Sequence, residues 1–170
     1  MPEVMKQAAI VIVSDSAYDG EREDAAGPRL ALFLQELGFV VIAQTIVPDE
    51  RDLIASTLFD LVAYGAPLVV TTGGTGLSPR DITPEATLTV IEREVPGLAE
   101  EMRRQGLQQT RFSLLSRGVA GVRDKTLIVN LPGNPDGAVD SLAAIADVLP
   151  HALTILQSQK FHHDDLNDKE

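Results

Sequence analysis

Short runs rich in Val and Ile alternate with helical patterns through the first half of the chain, and this alternation constrains the fold more than any other feature. The first run, residues 8–13, is continuous and β-branched, as is typical of a strand buried on both faces. Two more runs, at 39–47 and 67–72, each follow a segment with leucines at helical spacing. Alternation at this spacing predicts the α/β class, with a mostly parallel sheet and helices on both faces.

The alternation lapses between residues 96 and 123. Before this lapse, a helix is expected to begin with Thr83 as its N-cap and Pro84 as its first residue. At its end and beyond it, residues 116–122 and 125–131 are predicted to form two strands joined by a turn, and a final helix runs to about residue 157.

Length and composition fit one domain. A chain of 170 residues without an internal repeat or linker is expected to fold as a single domain over residues 1–158, with residues 159–170 as a polar, acidic, disordered tail. No run approaches the roughly 18 apolar residues of a membrane span, and the N-terminus has no signal-peptide pattern. We therefore expect a cytoplasmic protein without membrane contact.

The residue types that are missing exclude several kinds of chemistry. Without cysteine the chain has no disulfide, thiolate nucleophile or cysteine zinc site. Two of the three histidines, His162 and His163, fall in the tail, and His151 lies in an apolar helical segment, which argues against a Ser-His-Asp triad or a three-histidine metal site. A net charge of −11 argues against nucleic-acid binding. Carboxylates, hydroxyls, backbone amides and arginines must therefore carry the chemistry.

The loop after the third strand, residues 71–81, is typical of a phosphate cradle. Its glycines allow backbone N–H groups to turn toward one point, and the N-terminus of the following helix adds partial positive charge. No Gly-Lys-Ser/Thr follows, so the loop is not a P-loop, and it lacks the third glycine of the dinucleotide fingerprint. A tight strand-to-helix turn is the simpler interpretation. The candidate phosphate-binding residues are Thr72, Gly73, Gly74, Thr75, Gly76 and Ser78.

Asp49 and Asp81 are the candidate ligands of a divalent cation. An acidic protein that handles phosphates needs such a cation to offset repulsion, and two carboxylates near phosphate oxygens are the usual means. Asp49 is equally well placed to cap a helix. Asp81 is not the obvious cap of its helix, because Thr83 already takes that position.

Two further loops belong to the edge where ligands bind in such sheets. The loop from Ser14 to Gly27 is longer than a strand-to-helix connection needs, which indicates either a function or a flexible acidic surface. In the last loop, Asn134 is predicted to cap the final helix, or else the loop presents backbone groups to a base. The arginines that could hold phosphate, or pair with surface carboxylates, are Arg80, Arg111 and Arg117.

Several of these motifs together resemble the molybdopterin adenylyltransferases. Residues 71–76 with 79–87, then 114–117 and 131–135, are similar to the bacterial Mog proteins, to the related MoaB branch, and to the G domains of gephyrin and the plant Cnx proteins. The resemblance spans about residues 7–156. Its remaining matches in order and spacing are Val13-Ser14-Asp15, Asp24, Gly27-Pro28 and Val47-Pro48-Asp49-Glu50.

The resemblance implies a reaction and an architecture. It implies that ATP and molybdopterin react, with Mg²⁺, to give adenylyl-molybdopterin and pyrophosphate, and that the product is handed over to a molybdenum-insertion protein. The implied fold is a three-layer α/β sandwich with a small antiparallel strand pair, assembled as a homotrimer. Such a strand pair would account for the lapse at residues 96–123.

The same resemblance implies roles for individual residues. Asp49 and Asp81 would be the essential carboxylates, which hold Mg²⁺ and arrange the reacting phosphates. The backbone amides of residues 73–76 would hold phosphate, whereas Ser116 and Arg117 would face the pterin. The nucleotide pocket would be lined by Ser14, Asp15, Pro132, Gly133 and Asn134.

Two other functions remain open on the sequence. A MoaB-like carrier or scaffold would bind molybdopterin without turning it over, although the presence of both Asp49 and Asp81 favours catalysis. The second alternative is an unrelated nucleotide-binding protein of the same sheet class, such as the pyridine-nucleotide amidase-linked domains that share the Gly-Gly-Thr-Gly loop.

Overall fold

A six-stranded sheet lies at the centre of the computed structural model, which describes residues 6–158. Its strands lie in the order β2-β1-β3-β6-β5-β4. The first four in this order are mutually parallel, whereas β5 runs antiparallel to both of its neighbours. The strands are β1 (Gln7–Val13), β2 (Val40–Val47), β3 (Leu68–Thr72), β4 (Arg93–Glu94), β5 (Ala120–Arg123) and β6 (Thr126–Leu131).

Helices cover both faces of the sheet, as the sequence predicts. One face packs against α2 (Ala26–Glu36), α5 (Pro96–Gly106), α6 (Pro135–Ile145) and α7 (Leu149–Ser158). The other face packs against α3 (Arg51–Tyr64) and α4 (Thr83–Val90). A one-turn helix, α1 (Asp15–Tyr18), and a 3-10 helix, Arg111–Leu115, lie in the loops. The predicted three-layer α/β architecture is therefore confirmed.

The central strand β1 shows why the sheet needs both helical layers. Its side chains alternate between the two cores, with Ala8, Ile10 and Ile12 on the α2 side. Ala9, Val11 and Val13 lie on the α3 side. All of residues 8–13 are buried, so a continuous apolar run is the pattern that this position requires.

The region where the alternation lapses ends in an antiparallel hairpin of β5 and β6. β5 is shorter than predicted, because residues 111–115 form the 3-10 helix and residues 116–119 have no regular structure. Beyond the predicted pair, β4 adds a third antiparallel strand, in which Arg93 and Glu94 pair with β5. Both residues are charged and exposed at the sheet edge, so the sequence pattern carries no strand signal there.

Two helix predictions need correction. Thr83 is not the N-cap of α4 but its first residue, and its hydroxyl donates to the carbonyl oxygen of Gly73 at 2.9 Å. The expected single final helix is two helices, α6 and α7, bent by 64° relative to each other. The predicted tail at 159–170 lies outside the described residues.

The helices within residues 6–158 are short. No single one of them is long and apolar enough to cross a membrane. The bent pair α6 and α7 meets the length and composition requirement only when the two helices are counted together.

The four parallel strands end at one edge of the sheet. Val13 of β1 is in register with Val47 of β2, and Ile12 is in register with Thr72 of β3, which is itself paired with Leu131 of β6. The loops that follow these strands therefore leave the sheet side by side. This edge is where ligands bind in open α/β sheets.

Candidate ligand site at the carboxyl ends of the parallel strands

A cavity of about 590 Å³ lies among the four loops, and we call it the carboxylate cavity because both Asp49 and Asp81 line it. Its walls come from segments that are far apart in the sequence and that the parallel strands bring together. The site residues expected from the sequence that line it are Ser14, Asp49, Thr72, Gly73, Gly74, Asp81, Gly133 and Asn134.

The loop between β3 and α4, residues 73–82, is called the glycine loop, and it turns carbonyl groups into the protein. The Gly74 carbonyl accepts the Thr83 N–H at 3.0 Å, and the Thr75 carbonyl accepts the Arg117 N–H at 2.9 Å. Among the described residues, the N–H groups of Gly74, Thr75 and Gly76 have no hydrogen-bond partner. Amides left without partners in a glycine-rich loop are suited to bind an anion.

Gly73 departs from the expectation that the backbone amides of all four residues 73–76 bind phosphate. Its N–H already donates to the Leu131 carbonyl at 3.1 Å. Its φ is +99°, and a Cβ atom there would lie 2.2 Å from the carbonyl oxygen of Val13. Gly73 therefore serves the turn and its close approach to β1 rather than donating to a ligand.

Asp49 and Asp15 bond to each other's backbone. The Asp15 N–H donates to Oδ2 of Asp49 at 2.9 Å, and the Asp49 N–H donates to Oδ1 of Asp15 at 3.0 Å. Helix α3 begins at Arg51 with Glu50 at the N-cap position, so Asp49 is not its cap. The pair instead joins the loop after β1 to the loop after β2.

Arg80 adds the loop after β3 to this pair. Its Nε donates to Oδ2 of Asp15 at 2.7 Å, and its Nη2 donates to Oδ1 at 2.9 Å. This two-pronged contact lowers the pKa of Asp15 and raises that of Arg80. Burial raises the pKa of Asp49, and the negative charges of Asp15 and Asp81 raise it further.

Replacement of Asp49 by Asn is expected to stabilise the fold at neutral pH. Because the folded-state pKa of Asp49 is raised, its ionised carboxylate is less favourable in the folded than in the unfolded chain. The gain is about 0.5 kcal/mol, since solvent screens the partly exposed group. It is lost as the pH falls through the raised pKa toward 3.8, where the wild-type carboxylate takes up its proton. Urea unfolding across this pH range measures it.

Asp15→Asn is the matched control, with the opposite sign. Arg80 lowers the pKa of Asp15, so the ionised form stabilises the fold above pH 3.8, and this contribution is lost as the pH falls through the lowered pKa. Equal effects of the two substitutions on unfolding at neutral pH would contradict the assignment of charge in this site.

Asp49 and Asp81 fit a cation that is shared with a ligand. Oδ2 of Asp81 accepts the Ser78 N–H at 2.9 Å, and Oδ2 of Asp49 accepts the Asp15 N–H. Oδ1 of Asp49 and Oδ1 of Asp81 have no partner among the described residues. Within residues 6–158, no group of three or more His, Cys, Asp or Glu side chains could hold a metal ion by itself. Two carboxylate oxygens suit Mg²⁺, which keeps waters and takes further oxygens from a bound phosphate.

Arg22 is a cavity residue that the sequence analysis did not identify. Among the described residues that line the carboxylate cavity, it is the sole Lys or Arg, against the carboxylates of Glu23, Asp24, Asp49 and Asp81. Asp24 accepts the N–H groups of Ala26 and Gly27 at the start of α2. The unusual length of this loop was the one available signal.

A second cavity of about 500 Å³ adjoins the first, and we call it the apolar cavity because most of its wall is apolar. It lies between α5, the 3-10 helix and α6, with Met102 and Phe112 in its lining. Ser116 and Pro132 line it too, and Asn134 lines both cavities. The segment 132–134 is therefore the wall between them, and Asn134 also caps α6 by accepting the Gly137 N–H at 3.0 Å, as predicted.

Five of the expected site residues line neither cavity. The hydroxyl-bearing Thr75 and Ser78 lie in the glycine loop with Gly76, and the charged Asp15 and Arg117 point at neighbouring loops. Their contacts join sequence positions that are up to 65 residues apart, which no local pattern reports. These five residues are Asp15, Thr75, Gly76, Ser78 and Arg117.

The fold and the cavity together define an open α/β protein, a class in which ligands bind beyond the carboxyl ends of the parallel strands. The family described as "Probable molybdopterin binding domain" matches residues 9–151. The chain belongs to this family, the family of the MogA and MoaB proteins.

Curated relatives and solved structures agree with this membership. A molybdopterin adenylyltransferase from Helicobacter pylori is 41% identical over 150 residues, which cover 86% of this chain and 85% of the relative. A crystal structure of MoaB from Thermus thermophilus has a TM-score of 0.85 and 50% identity, covering 89% of this chain and 96% of that one. A structure of MogA has the same TM-score at 45% identity, covering 88% and 99%.

Proposed function

We propose that the chain is a molybdopterin adenylyltransferase, which transfers AMP from ATP to the terminal phosphate of molybdopterin in molybdenum cofactor biosynthesis. The observation that carries the proposal is the pairing of Asp49 and Asp81 with the glycine loop in one cavity, which shares Asn134 with a second, mostly apolar cavity. A reaction between two phosphates of different substrates needs two such adjoining sites. The names of the most similar relatives support the same reaction.

The two cavities suit the two substrates. The triphosphate belongs in the carboxylate cavity, which Thr72 and Gly74 line, and the unpartnered Gly74 amide can donate to it. The pterin belongs in the apolar cavity beside Ser116 and Pro132, because a flat ring system gains from apolar walls. The segment 132–134 then lies between the reacting groups, with Gly133 and Asn134 facing the nucleotide.

The reaction needs positioning more than proton transfer. The terminal phosphate of molybdopterin attacks the α-phosphorus of ATP, the new P–O bond forms, and pyrophosphate leaves with the electrons of the broken bond. The attacking group is an anion at neutral pH, so no strong general base is required. His151 lies on α7 and lines neither cavity, which agrees with this chemistry. The chain contributes by orienting the phosphates and by offering amide donors to developing charge.

We further propose that Asp49 and Asp81 hold Mg²⁺ between them and the phosphates. When bound, the cation would neutralise phosphate charge in a cavity that carries four carboxylates and one arginine. Oδ1 of each aspartate is the free ligand atom in the described part of the chain.

The test of the proposed function follows pyrophosphate release and AMP transfer by the purified chain with molybdopterin, ATP and Mg²⁺. Release that requires both substrates and Mg²⁺ supports the proposal. Binding of molybdopterin without release would support the carrier alternative. ATP binding or hydrolysis on which molybdopterin has no effect would support an unrelated nucleotide-binding protein.

We also propose a cytoplasmic homotrimer that hands its product to a molybdenum-insertion protein. Exposed apolar side chains of the 3-10 helix, Phe112, Leu114 and Leu115, are of the type that such contacts bury. Light scattering is expected to give three times the chain mass of 18.3 kDa. A monomer at micromolar concentration would contradict the trimer.

Asp15→Ala is expected to lower kcat/KM for adenylyl transfer by about 10-fold to 100-fold, because Asp15 holds the backbone of Asp49 and the guanidinium of Arg80. The loss of stability should be small, since this ion pair is largely exposed. Glu101→Ala is the control, because Glu101 makes the same two-pronged contact with Arg104 away from the carboxylate cavity. Equal activity of the two variants would contradict the role of Asp15.

A further inference from the structure

Arg117 donates three hydrogen bonds to carbonyl groups of the glycine loop, and no pattern in the sequence predicts them. Its backbone N–H donates to the Thr75 carbonyl at 2.9 Å, and its Nε donates to the Gly76 carbonyl at 2.8 Å. Its Nη2 donates to the Asp81 carbonyl at 2.7 Å. One residue thus holds both ends of the segment 75–81.

This contact set holds the part of the loop that lies between two residues of the cavity wall. The segment begins next to Gly74, whose amide has no partner among the described residues, and ends at Asp81, and both Gly74 and Asp81 line the carboxylate cavity. The Asp81 side chain is set by the same segment, because Asp81 accepts the Ser78 N–H and donates its own N–H to the Ser78 carbonyl at 2.9 Å. The position of the Asp81 carboxylate relative to the loop amides therefore depends on the Arg117 guanidinium.

Glu85 of α4 holds the guanidinium from the other side. Its Oε1 accepts from Nη1 of Arg117, and this bond is the main cause of the lowered pKa of Glu85. The other carboxylate oxygen, Oε2, is buried without a partner in the described part of the chain. Arg117 thus donates to four acceptors, three in the segment 75–81 and one on α4.

The geometry points to Arg117 as a positioning residue of the adenylyl transfer site, which sets the loop amides and Asp81 for a phosphate-bound cation without contacting either substrate. This inference rests on the proposed function. It differs from the role beside the pterin that the family resemblance implies, because Arg117 lines neither cavity.

Arg117→Lys distinguishes an effect of positioning from an effect of charge. Lysine keeps the positive charge but has no planar guanidinium, so it cannot donate to the Gly76, Asp81 and Glu85 acceptors together. We expect Arg117→Lys to lower kcat by about 10-fold to 100-fold and to raise the Mg²⁺ concentration for half-maximal activity by at least about threefold. Molybdopterin affinity, measured without ATP and Mg²⁺, should change by less than about twofold.

Amide hydrogen exchange reports the loop directly and does not need activity. The amides to follow are those of Ser78 and Asp81, which are hydrogen-bonded within the segment 75–81, and that of Thr83, which donates to the Gly74 carbonyl beside it. Their exchange should be at least about tenfold faster in Arg117→Lys, while amides of β1 and β3 keep their rates. Unchanged exchange at all three amides would overturn the inference.

Arg123→Lys is the matched control. Arg123 is as exposed as Arg117, with 32% against 36% of the side chain accessible, and it also donates to a backbone carbonyl, that of Val90. It lines neither cavity, and in the described part of the chain it makes no hydrogen bond or ion pair with residues 75–81. Its Mg²⁺ dependence and its exchange at Ser78 and Asp81 should match the wild type.

If Arg117→Lys folds poorly, Glu85→Gln tests the same inference. The glutamine can accept one bond but loses the charge that holds the guanidinium, so a smaller shift in the same direction is expected in Mg²⁺ dependence and in exchange. Weaker molybdopterin binding with an unchanged Mg²⁺ dependence would overturn the inference in favour of a substrate contact. A wild-type chain without adenylyl transfer would contradict the proposed function, whereas an active wild type with unaltered variants would contradict only the role of Arg117.

Discussion

Asp81→Asn is expected to lower the rate of adenylyl transfer by at least about 100-fold while the chain stays folded. The asparagine oxygen can still accept the Ser78 N–H, so the loop keeps its shape. What is lost is a negative charge in the carboxylate cavity, where the proposed Mg²⁺ needs an anionic ligand. The rate of pyrophosphate release at saturating substrates measures the effect, and thermal unfolding verifies the fold.

The control for this substitution is Asp60→Asn, which removes the same charge from the exposed surface of α3. It should leave both activity and unfolding near the wild-type values. AMP transfer by Asp81→Asn at the wild-type rate would remove Asp81 from the mechanism. A matching loss in Asp60→Asn would show that net charge, and not the site, governs the rate.

Gly73→Ala is expected to be the most destabilising of the substitutions proposed for this site, at about 2–4 kcal/mol. An alanine there would be strained at a φ of +99°, and its Cβ would lie 2.2 Å from the Val13 carbonyl oxygen. Because that oxygen belongs to the backbone of the central strand β1, the loop must move instead. The displaced loop should also lose adenylyl transfer. Urea unfolding measures the stability, and pyrophosphate release measures the activity.

Gly65→Ala separates the two causes of this effect. Gly65 ends α3 with a φ of +92°, close to that of Gly73, but a Cβ there would meet nothing within 4 Å. It should therefore cost only the backbone strain, about 1 kcal/mol, and leave activity unchanged. If both alanine variants lost the same stability, the contact with Val13 would have no part in the effect.

The arrangement of the cavity is compatible with the triphosphate that the proposed function places there. The net charge of the whole chain, −11, is unfavourable for binding an anion. Among the described residues, the cavity is lined by four carboxylates and by a single cationic side chain, that of Arg22. The unpartnered amide of Gly74 and the proposed cation would act locally, where the charge of the proposed ligand lies. On this proposal, local donors rather than net charge determine binding at this edge of the sheet.

Much of the fold could be predicted because its signals are local. The burial of residues 8–13 on both faces follows from an unbroken apolar run, and the Asn134 cap follows from an asparagine before proline. The prediction for Thr83 was wrong because a threonine before a proline has the same local pattern whether its hydroxyl caps the helix or reaches the Gly73 carbonyl. Only the position of the glycine loop distinguishes these two bonds.

Other parts of the site could not be predicted, because they depend on contacts between distant segments. The buried Asn130 donates to Thr71 of β3 and Thr87 of α4, which joins three elements beside the site. Similarly, the bonds from Arg80 to Asp15 and from Arg117 to Gly76 connect residues 65 and 41 positions apart. Nothing in the spacing of these residues along the chain relates one to the other.

The sequence by itself determined the α/β class, the glycine loop and the two aspartates, because strand periodicity, turn-forming glycines and the resemblance to a family are properties of short segments in order. Only the tertiary structure decided that Asp15 and Arg117 hold loops rather than line a cavity, that Gly73 donates to Leu131, and that two cavities meet at residues 132–134. The physical reason is that a side chain's partner depends on which strands are neighbours, and that order is set by the packing of both helical layers on the sheet.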